Sequence, residues 1–243
     1  ATLVKRCVAQ NDVCFVSVFV NPTQFNNKED LLKYPRNLSK DADLLSELGV
    51  TFVFAPTPEE MYSEQEMNTT FAFDFAGLDK VMEGKMRPGH FNGVVQVVSR
   101  LFYLVQPDRA YFGEKDYQQI AVIRELVRQC DIRSEIVPCP IVREPNGLAM
   151  SSRNRLLTPH QFETAANIHR ILEESKQQPD VAEIKAFVES EIAKIPEFKL
   201  DYFEIADDAS LQTVHALSEA NGVMGFITVY VGDVRLIDNI RYK

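Results

Sequence analysis

The sequence predicts an α/β protein: a parallel sheet with helices on both faces, followed by a smaller α+β domain. Three observations carry that prediction. Short runs rich in Val, Ile and Phe alternate with amphipathic helical stretches up to about residue 140, the pattern of a parallel sheet covered on both sides. Beyond that point the order changes to two helices, a strand and a hairpin. The chain has 243 residues, 45% of them hydrophobic and 25% charged, enough for one large or two modest domains. The expected division is 1–140 and 141–243.

Taken in order, "ATLVKRCVA" places Leu3, Val4, Cys7 and Val8 at helical spacing, with no residue ahead of it to act as a cap. "DVCFVSVFV" (12–20) is a nearly unbroken apolar run and reads as a parallel strand buried on both faces. Ser39 can cap the helix "KDADLLSEL", which stops at Gly49, and "TFVFA" (51–55) is the next strand. Residues 56–91 are mixed. "NGVVQVVSRLFYLV" (92–105) is a helix with Val94, Val95, Val98, Leu101, Phe102 and Val105 on its inward stripe. A strand at 109–113, a helix at 117–129 and a strand at 134–138 follow. In the second part Thr158, Pro159 and Gln161 spell a capping box with proline at the first helical position. The helix it opens is expected to run to about Lys176, and another spans about Val181 to Lys194. "LDYFEIA" (200–206) is a strand, and the last two strands form a hairpin turning at Gly232-Asp233.

Composition narrows the function. Net charge is −9 with no block of Lys or Arg, which argues against a nucleic-acid partner. No apolar run reaches transmembrane length, so no membrane partner is expected. Cys7, Cys14, Cys130 and Cys139 have neither C-x-x-C nor zinc spacing, and reduced, mostly buried thiols in a cytoplasmic protein are the expectation. The four histidines are too scattered for a metal site. "EGKM" (83–86) is not a P-loop, since the preceding glycine is missing and Met86 stands where a magnesium-binding hydroxyl belongs. No G-x-G-x-x-G follows a strand, which argues against a nicotinamide enzyme.

Four polar clusters stand out. In "YFGEKDYQQ" (111–119), Gly113, Glu114, Lys115 and Asp116 lie where a parallel strand delivers its carboxyl end, the edge at which open α/β sheets bind ligands. Glycine lets a ligand approach the backbone, Lys115 suits a phosphate, and Asp116 can accept from ribose hydroxyls or cap the next helix. Gln119 lies one turn into that helix. In "FVNPTQF" (19–25), Asn21 and Gln24 are neutral amides that can hold a small hydroxylated acid without the desolvation cost of a full charge. In "MRPGHFNGV" (86–94), Arg87 and His90 can meet an anion at a helix N-terminus, unless Pro-Gly is merely a turn. In "GLAMSSRNRLL" (147–157), two hydroxyls and a guanidinium follow Gly147, which would make the loop mobile; the plain alternative is a polar turn. A cleft between domains is where such groups would meet a small ligand.

These stretches, in this order and spacing, resemble the pantoate–β-alanine ligase (pantothenate synthetase) family, with similarity along the whole chain and strongest over 15–157. The resemblance implies a Rossmann-like fold related to class I aminoacyl-tRNA synthetases, with "MSSR" in the place of their mobile KMSKS loop. It implies a ligase that joins pantoate to β-alanine with ATP through a pantoyl-adenylate. By resemblance, Gly113, Glu114, Lys115 and Asp116 bind ATP, Lys115 toward phosphate and Asp116 toward ribose. The backbone of Val142 meets adenine, and Met150, Ser151, Ser152 and Arg153 form the phosphate loop. Gln24 and Gln119 hold pantoate, Asn21 supports or shares that pocket, and Lys115, Ser151, Ser152 and Arg153 carry the catalytic roles. ATP with Mg²⁺ is then a substrate, with no tightly bound cofactor and no metal site of the protein's own. A homodimer is implied on the same ground. The domain at 1–140 would bind ATP and pantoate, and the one at 141–243 would act as a lid. The family also has an N-terminal strand and a P-T-M-G-x-L-H-x-G-H loop, and the uncapped first helix reads as if a βα step of roughly 35–40 residues belonged ahead of Ala1. Two other readings remain at this point: a different class I adenylyl or nucleotidyl transferase acting on a small acid, and a truncated chain that binds ligand without turnover.

Overall fold

The computed structural model describes residues 1–25, 31–32, 34 and 36–243. The chain divides into two compact units, Ala1–Cys139 and Pro140–Lys243.

The first unit opens with α1 (Thr2–Gln10), which has no side-chain cap. Arg6 Nη1 donates to the carbonyl of Pro138 at 2.8 Å, and Asn11 Nδ2 donates to the Tyr111 hydroxyl at 2.8 Å. Strands β1 (Phe15–Ser17) and β2 (Phe52–Phe54) pair in parallel, Phe15 opposite Phe52. The strand expected over 12–20 is therefore three residues long, and it is not buried on both faces. Cys14 is buried, whereas Val13 is 55% exposed and Phe15 36%. Side chains alternate across a strand, so this pattern marks one packed face and one open face. An apolar run alone does not say which faces are covered; the packing partners do.

Helix α2 (Leu38–Glu47) is capped by Asn37, whose Oδ1 accepts the Lys40 N–H at 3.0 Å. The expected cap, Ser39, already lies inside the helix and lacks the extended backbone that a cap requires. Two short helices resolve the mixed region. They are α3 (Pro58–Met61) and α4 (Glu64–Asn68), each opened by a capping box, Thr57 with Glu60 and Ser63 with Glu66. After α5 (Met82–Met86), an Arg87 carbonyl to His90 N–H bond of 3.0 Å closes a turn through Pro88 and Gly89. Gly89 has φ +82, the left-handed value that glycine accepts at this turn position. That turn starts α6 (His90–Val105) two residues earlier than expected. Val94, Val95, Val98 and Phe102 are buried as predicted, while Leu101 and Val105 are half-buried. Strand β3 (Arg109–Gly113), α7 (Tyr117–Gln129) and β4 (Glu135–Cys139) form a βαβ unit with β3 and β4 parallel. Among the described residues, the four strands make two parallel pairs. All four cysteines are free thiols; Cys14 and Cys139 are buried, Cys7 is half-buried and Cys130 is exposed.

In the second unit, the Thr158–Gln161 capping box opens α8 (Pro159–Ala165) with Pro159 in the first turn. The single helix expected to Lys176 is interrupted at Ala166, and α9 (Asn167–Ser175) follows. At the junction the Ala166 N–H bonds three residues back, to Glu163, so the turn tightens with no Pro or Gly to signal it. Helix α10 (Val181–Ala193) is capped by Asp180. Strands β5 (Phe198–Asp207), β6 (Val223–Val231) and β7 (Val234–Arg241) form an antiparallel sheet in that order. The β6–β7 loop is Gly232-Asp233, with Gly232 at φ +58 as such two-residue hairpins favour. Ile168, Ile171, Leu172, Ile184 and Val188 from the helices pack with Ile205, Ile227 and Val229 from the sheet. Among the described residues, no helix is long and apolar enough to cross a membrane.

Candidate active site

The carboxyl end of β3 is built as its sequence suggests. Gly113 closes the strand with φ −77, a conformation open to any residue, and a Cβ added there would meet nothing within 4 Å. Neither backbone strain nor internal packing therefore requires glycine. The free space is consistent with close approach by a ligand. Glu114, Lys115 and Asp116 form a 3-10 turn between β3 and α7. Lys115 Nζ lies 3.7 Å from Asp116 Oδ1, with the lysine side chain 17% exposed. Asp116 occupies the N-cap position of α7, yet its side chain makes no cap hydrogen bond. The structural alternative for Asp116, a helix cap, is thus not realised, and its exposed carboxylate remains available to a hydroxylated ligand. In α7, Gln118 is buried. Its Nε2 donates to the carbonyls of Leu78 (2.7 Å) and Val81 (3.0 Å), and its Oε1 accepts the Glu83 N–H at 3.0 Å. Gln119 is half-buried beside it. Gln118 thus holds the chain around the start of α5.

The second cluster is the 3-10 turn Pro22–Gln24 packed on the first turn of α6. Asn21 is 2% exposed. Its Nδ2 donates to the Gly93 carbonyl at 2.9 Å, and its Oδ1 accepts from Tyr62 Oη and Thr23 Oγ1, each at 3.1 Å. Nδ2 also donates to Gln24 Oε1 at 3.4 Å, so both amide hydrogens and the amide oxygen of Asn21 are engaged within the protein and support the turn and side chain of Gln24. A Cβ on Gly93 would lie 2.5 Å from the Thr23 carbonyl oxygen and 2.6 Å from Gln24 Cα, so glycine is what lets helix and turn meet. His90 is 8% exposed, with Nδ1 2.9 Å from the Gln24 carbonyl and Nε2 3.3 Å from Arg87 Nη1. Both ring nitrogens are engaged inside the protein, so His90 is not an anion ligand. Burial first, and then the Arg87 charge, lower its pKa to about 4. The unfolded chain takes up this proton near the ordinary value of about 6.5. Stability from the neutral ring is therefore complete above that pH and is lost as pH falls toward 4. Asp116 and Glu83 act on the same ring in the opposite sense, which places the Asp116 charge within electrostatic range of the Gln24 turn. Tyr62 had no recognisable signal in the sequence.

The third cluster lies in the second unit. Arg143 and Ala149 form an antiparallel bridge, and Val142 accepts the Met150 N–H at 2.9 Å, so residues 142–150 make a tight hairpin. Gly147 has φ +97 and donates its N–H to the Glu144 carbonyl at 2.9 Å. It therefore shapes a turn, and the expectation that it loosens the loop is replaced by that reason. Arg143 clamps the hairpin from below: Nη1 and Nη2 reach the two carboxylate oxygens of Asp238 on β7 at 2.7 and 3.0 Å, and Nη1 also reaches the Gly147 carbonyl at 3.2 Å. Beyond the hairpin, Ser151 caps the 3-10 turn Ser152–Leu156 by accepting the Arg153 N–H at 3.2 Å. Buried Asn154 anchors that turn through Nδ2 to the Ala149 carbonyl at 3.0 Å. Ser151, Ser152 and Arg153 are half-buried, while Met150 is 48% exposed. The polar-turn alternative and the phosphate-loop reading are compatible, because the capping fixes where the hydroxyls and the guanidinium start. The Arg143–Asp238 pair was not foreseen, since its partners stand far apart in the chain.

Together these features define a Rossmann-like α/β protein whose polar groups gather at the carboxyl end of a parallel strand and at the helix start beside it. The family model described as pantoate-beta-alanine ligase matches residues 1–241, and the chain belongs to that family. It is 55% identical to the pantothenate synthetase of Bacteroides thetaiotaomicron, covering 100% of this chain and 86% of the relative. It is 49% identical to that of Porphyromonas gingivalis strain ATCC 33277, with the same two coverages. Among solved structures, the pantothenate synthetase of Thermus thermophilus superposes with a TM-score of 0.93 at 42% identity, over 99% of this chain and 87% of that one. A pantoate-beta-alanine ligase of Francisella tularensis, complexed with beta-gamma ATP and beta-alanine, superposes with a TM-score of 0.79 at 37% identity, over 99% and 83%.

Proposed function

We propose that this chain condenses pantoate with β-alanine using ATP, by way of a pantoyl-adenylate. The family match over residues 1–241 carries this reading. A carboxylate resists attack by an amine because its carbonyl is electron-rich, and adenylation supplies a leaving group. A pantoate carboxylate oxygen attacks the α-phosphorus of ATP and pyrophosphate departs. The β-alanine amine then attacks the acyl carbon and AMP departs. The first transition state gathers negative charge on the phosphates.

Lys115 and Arg153 are the cations assigned to that charge, Ser151 and Ser152 the hydroxyl donors. Gly113 and Glu114 line the nucleotide, Asp116 takes the ribose, the Val142 backbone borders the adenine, and Met150 belongs to the phosphate loop. Gln24 and Gln119 orient pantoate for in-line attack, with Asn21 holding the turn beneath Gln24. Support comes from the open space above Gly113 and from the Asp116 carboxylate that caps nothing. Mg²⁺ belongs to this reading as part of the substrate, carried on the ATP phosphates. The larger unit is assigned to ATP and pantoate, the smaller to a lid function. A cytoplasmic homodimer completes the proposal, on family grounds.

The test is exchange of labelled pyrophosphate into ATP by the intact protein. Exchange should depend on pantoate and stay at background with other small hydroxy acids. Background exchange with pantoate, alongside clear exchange with another acid, would transfer the chain to a different adenylating activity.

A further inference from the structure

Gln24 is held from the side by a residue that the motifs alone leave without a defined task. We propose that His90 is a positioning residue for pantoate: as a neutral ring it fixes the main chain of Gln24, and so the place from which the Gln24 amide works. The inference rests on the assignment of Gln24 to pantoate given above.

The tautomer follows from the partners. A guanidinium can only donate, so His90 Nε2, 3.3 Å from Arg87 Nη1, must be the accepting nitrogen. The ring hydrogen then sits on Nδ1 and is donated to the Gln24 carbonyl, 2.9 Å away. A second proton on Nε2 would face a guanidinium with no acceptor. The turn bearing Gln24 is fastened to α6 at two points, and they do different work. Asn21 donates to the Gly93 carbonyl at 2.9 Å and to Gln24 Oε1 at 3.4 Å, so it holds the start of the turn and the Gln24 side chain, while His90 holds the Gln24 main chain. The ring also ties that turn to Arg87, which lies 3.7 Å from Glu83 Oε2 on α5. The charged groups acting on the ring are Arg87 on its own turn, Glu83 on α5 and Asp116 ahead of α7. Burial outweighs the two carboxylates and keeps the ring neutral at physiological pH.

Two variants separate positioning from mere filling. His90→Phe keeps the ring volume and removes both hydrogen bonds; His90→Asn returns a donor near the Nδ1 position. The Phe variant should raise the KM for pantoate about tenfold, the scale of one lost hydrogen bond, with the KM for ATP within about twofold of wild type. The Asn variant should recover most of that loss. Equal rises in both KM values, no rise for pantoate, or an Asn variant no better than Phe would overturn the assignment. A wild-type protein that exchanges pyrophosphate with pantoate keeps such a failure distinct from a failure of the ligase reading. Nitrogen-15 spectra of the histidines in wild-type protein need no variant to fold. The His90 ring, assigned through its own backbone and so distinguished from His169, whose pKa is also lowered by burial, should remain neutral, protonated at Nδ1 and bare at Nε2, well below pH 6. A charged His90 ring there, or its Nε2-protonated form, would also overturn the proposal.

Discussion

At the scale of single residues, the site depends on which polar groups are already engaged. Asn21, Gln118 and His90 have their hydrogen-bonding capacity used inside the protein, whereas Asp116 stands at a cap position without capping. Under the proposed assignment that division separates ligand-facing groups from supports, with Gln119 in the first class and Gln118 in the second. Lys115, 3.7 Å from the Asp116 carboxylate and with its side chain 17% exposed, is the cation that the proposal assigns to phosphate. Lys115→Ala should slow adenylation by on the order of a hundredfold or more, the magnitude of one lost contact to transition-state charge. Single-turnover release of pyrophosphate measures it directly, and a rate near wild type would remove Lys115 from the phosphate contacts. The residue types and their spacing were legible in the sequence. Their saturation was not, because Tyr62, Gly93 and Gln24 meet Asn21 and His90 only through the fold.

At the scale of elements, helix starts do much of the placing. Capping boxes at Thr57, Ser63 and Thr158 fix where α3, α4 and α8 begin, and of these only the last is among the sequence expectations above. The Pro88-Gly89 turn sets the start of α6 and aims His90 and Gly93 at one short turn. Gly93→Ala tests that contact. The new methyl would press on the main chain of Thr23 and Gln24, which cannot swing aside as a side chain can. We expect a loss of about 1–3 kcal/mol of stability, the usual cost of overpacking. Denaturant titration reads that loss, and weakened pantoate binding should accompany it. A variant of wild-type stability and affinity would show that helix and turn are not locked together. In the second unit, Arg143 and Asp238 play the corresponding part, pinning the hairpin from which Ser151, Ser152 and Arg153 emerge. Such a bidentate pair, with Asp238 buried and Arg143 half-buried, costs desolvation energy, and what it provides is a fixed geometry.

At the scale of the whole molecule, the proposed homodimer is the property open to direct measurement. Sedimentation equilibrium of the intact protein at micromolar concentration should give twice the chain mass, and a single-chain mass across that range would refute the dimer. The sequence by itself determined the alternation of strands and helices, the hairpin at Gly232-Asp233, the Thr158 cap and the motifs that mark the family. Each depends on neighbours within a few residues or on patterns repeated along the chain. Only the tertiary structure decided that β1 has an open face, that Asn37 rather than Ser39 caps α2, and that α8 and α9 are separate helices. It alone decided that His90 reaches Gln24 and that Arg143 meets Asp238, at separations of 66 and 95 residues. Burial and long-range hydrogen bonds are set by which surfaces come together, and local pattern carries no record of that.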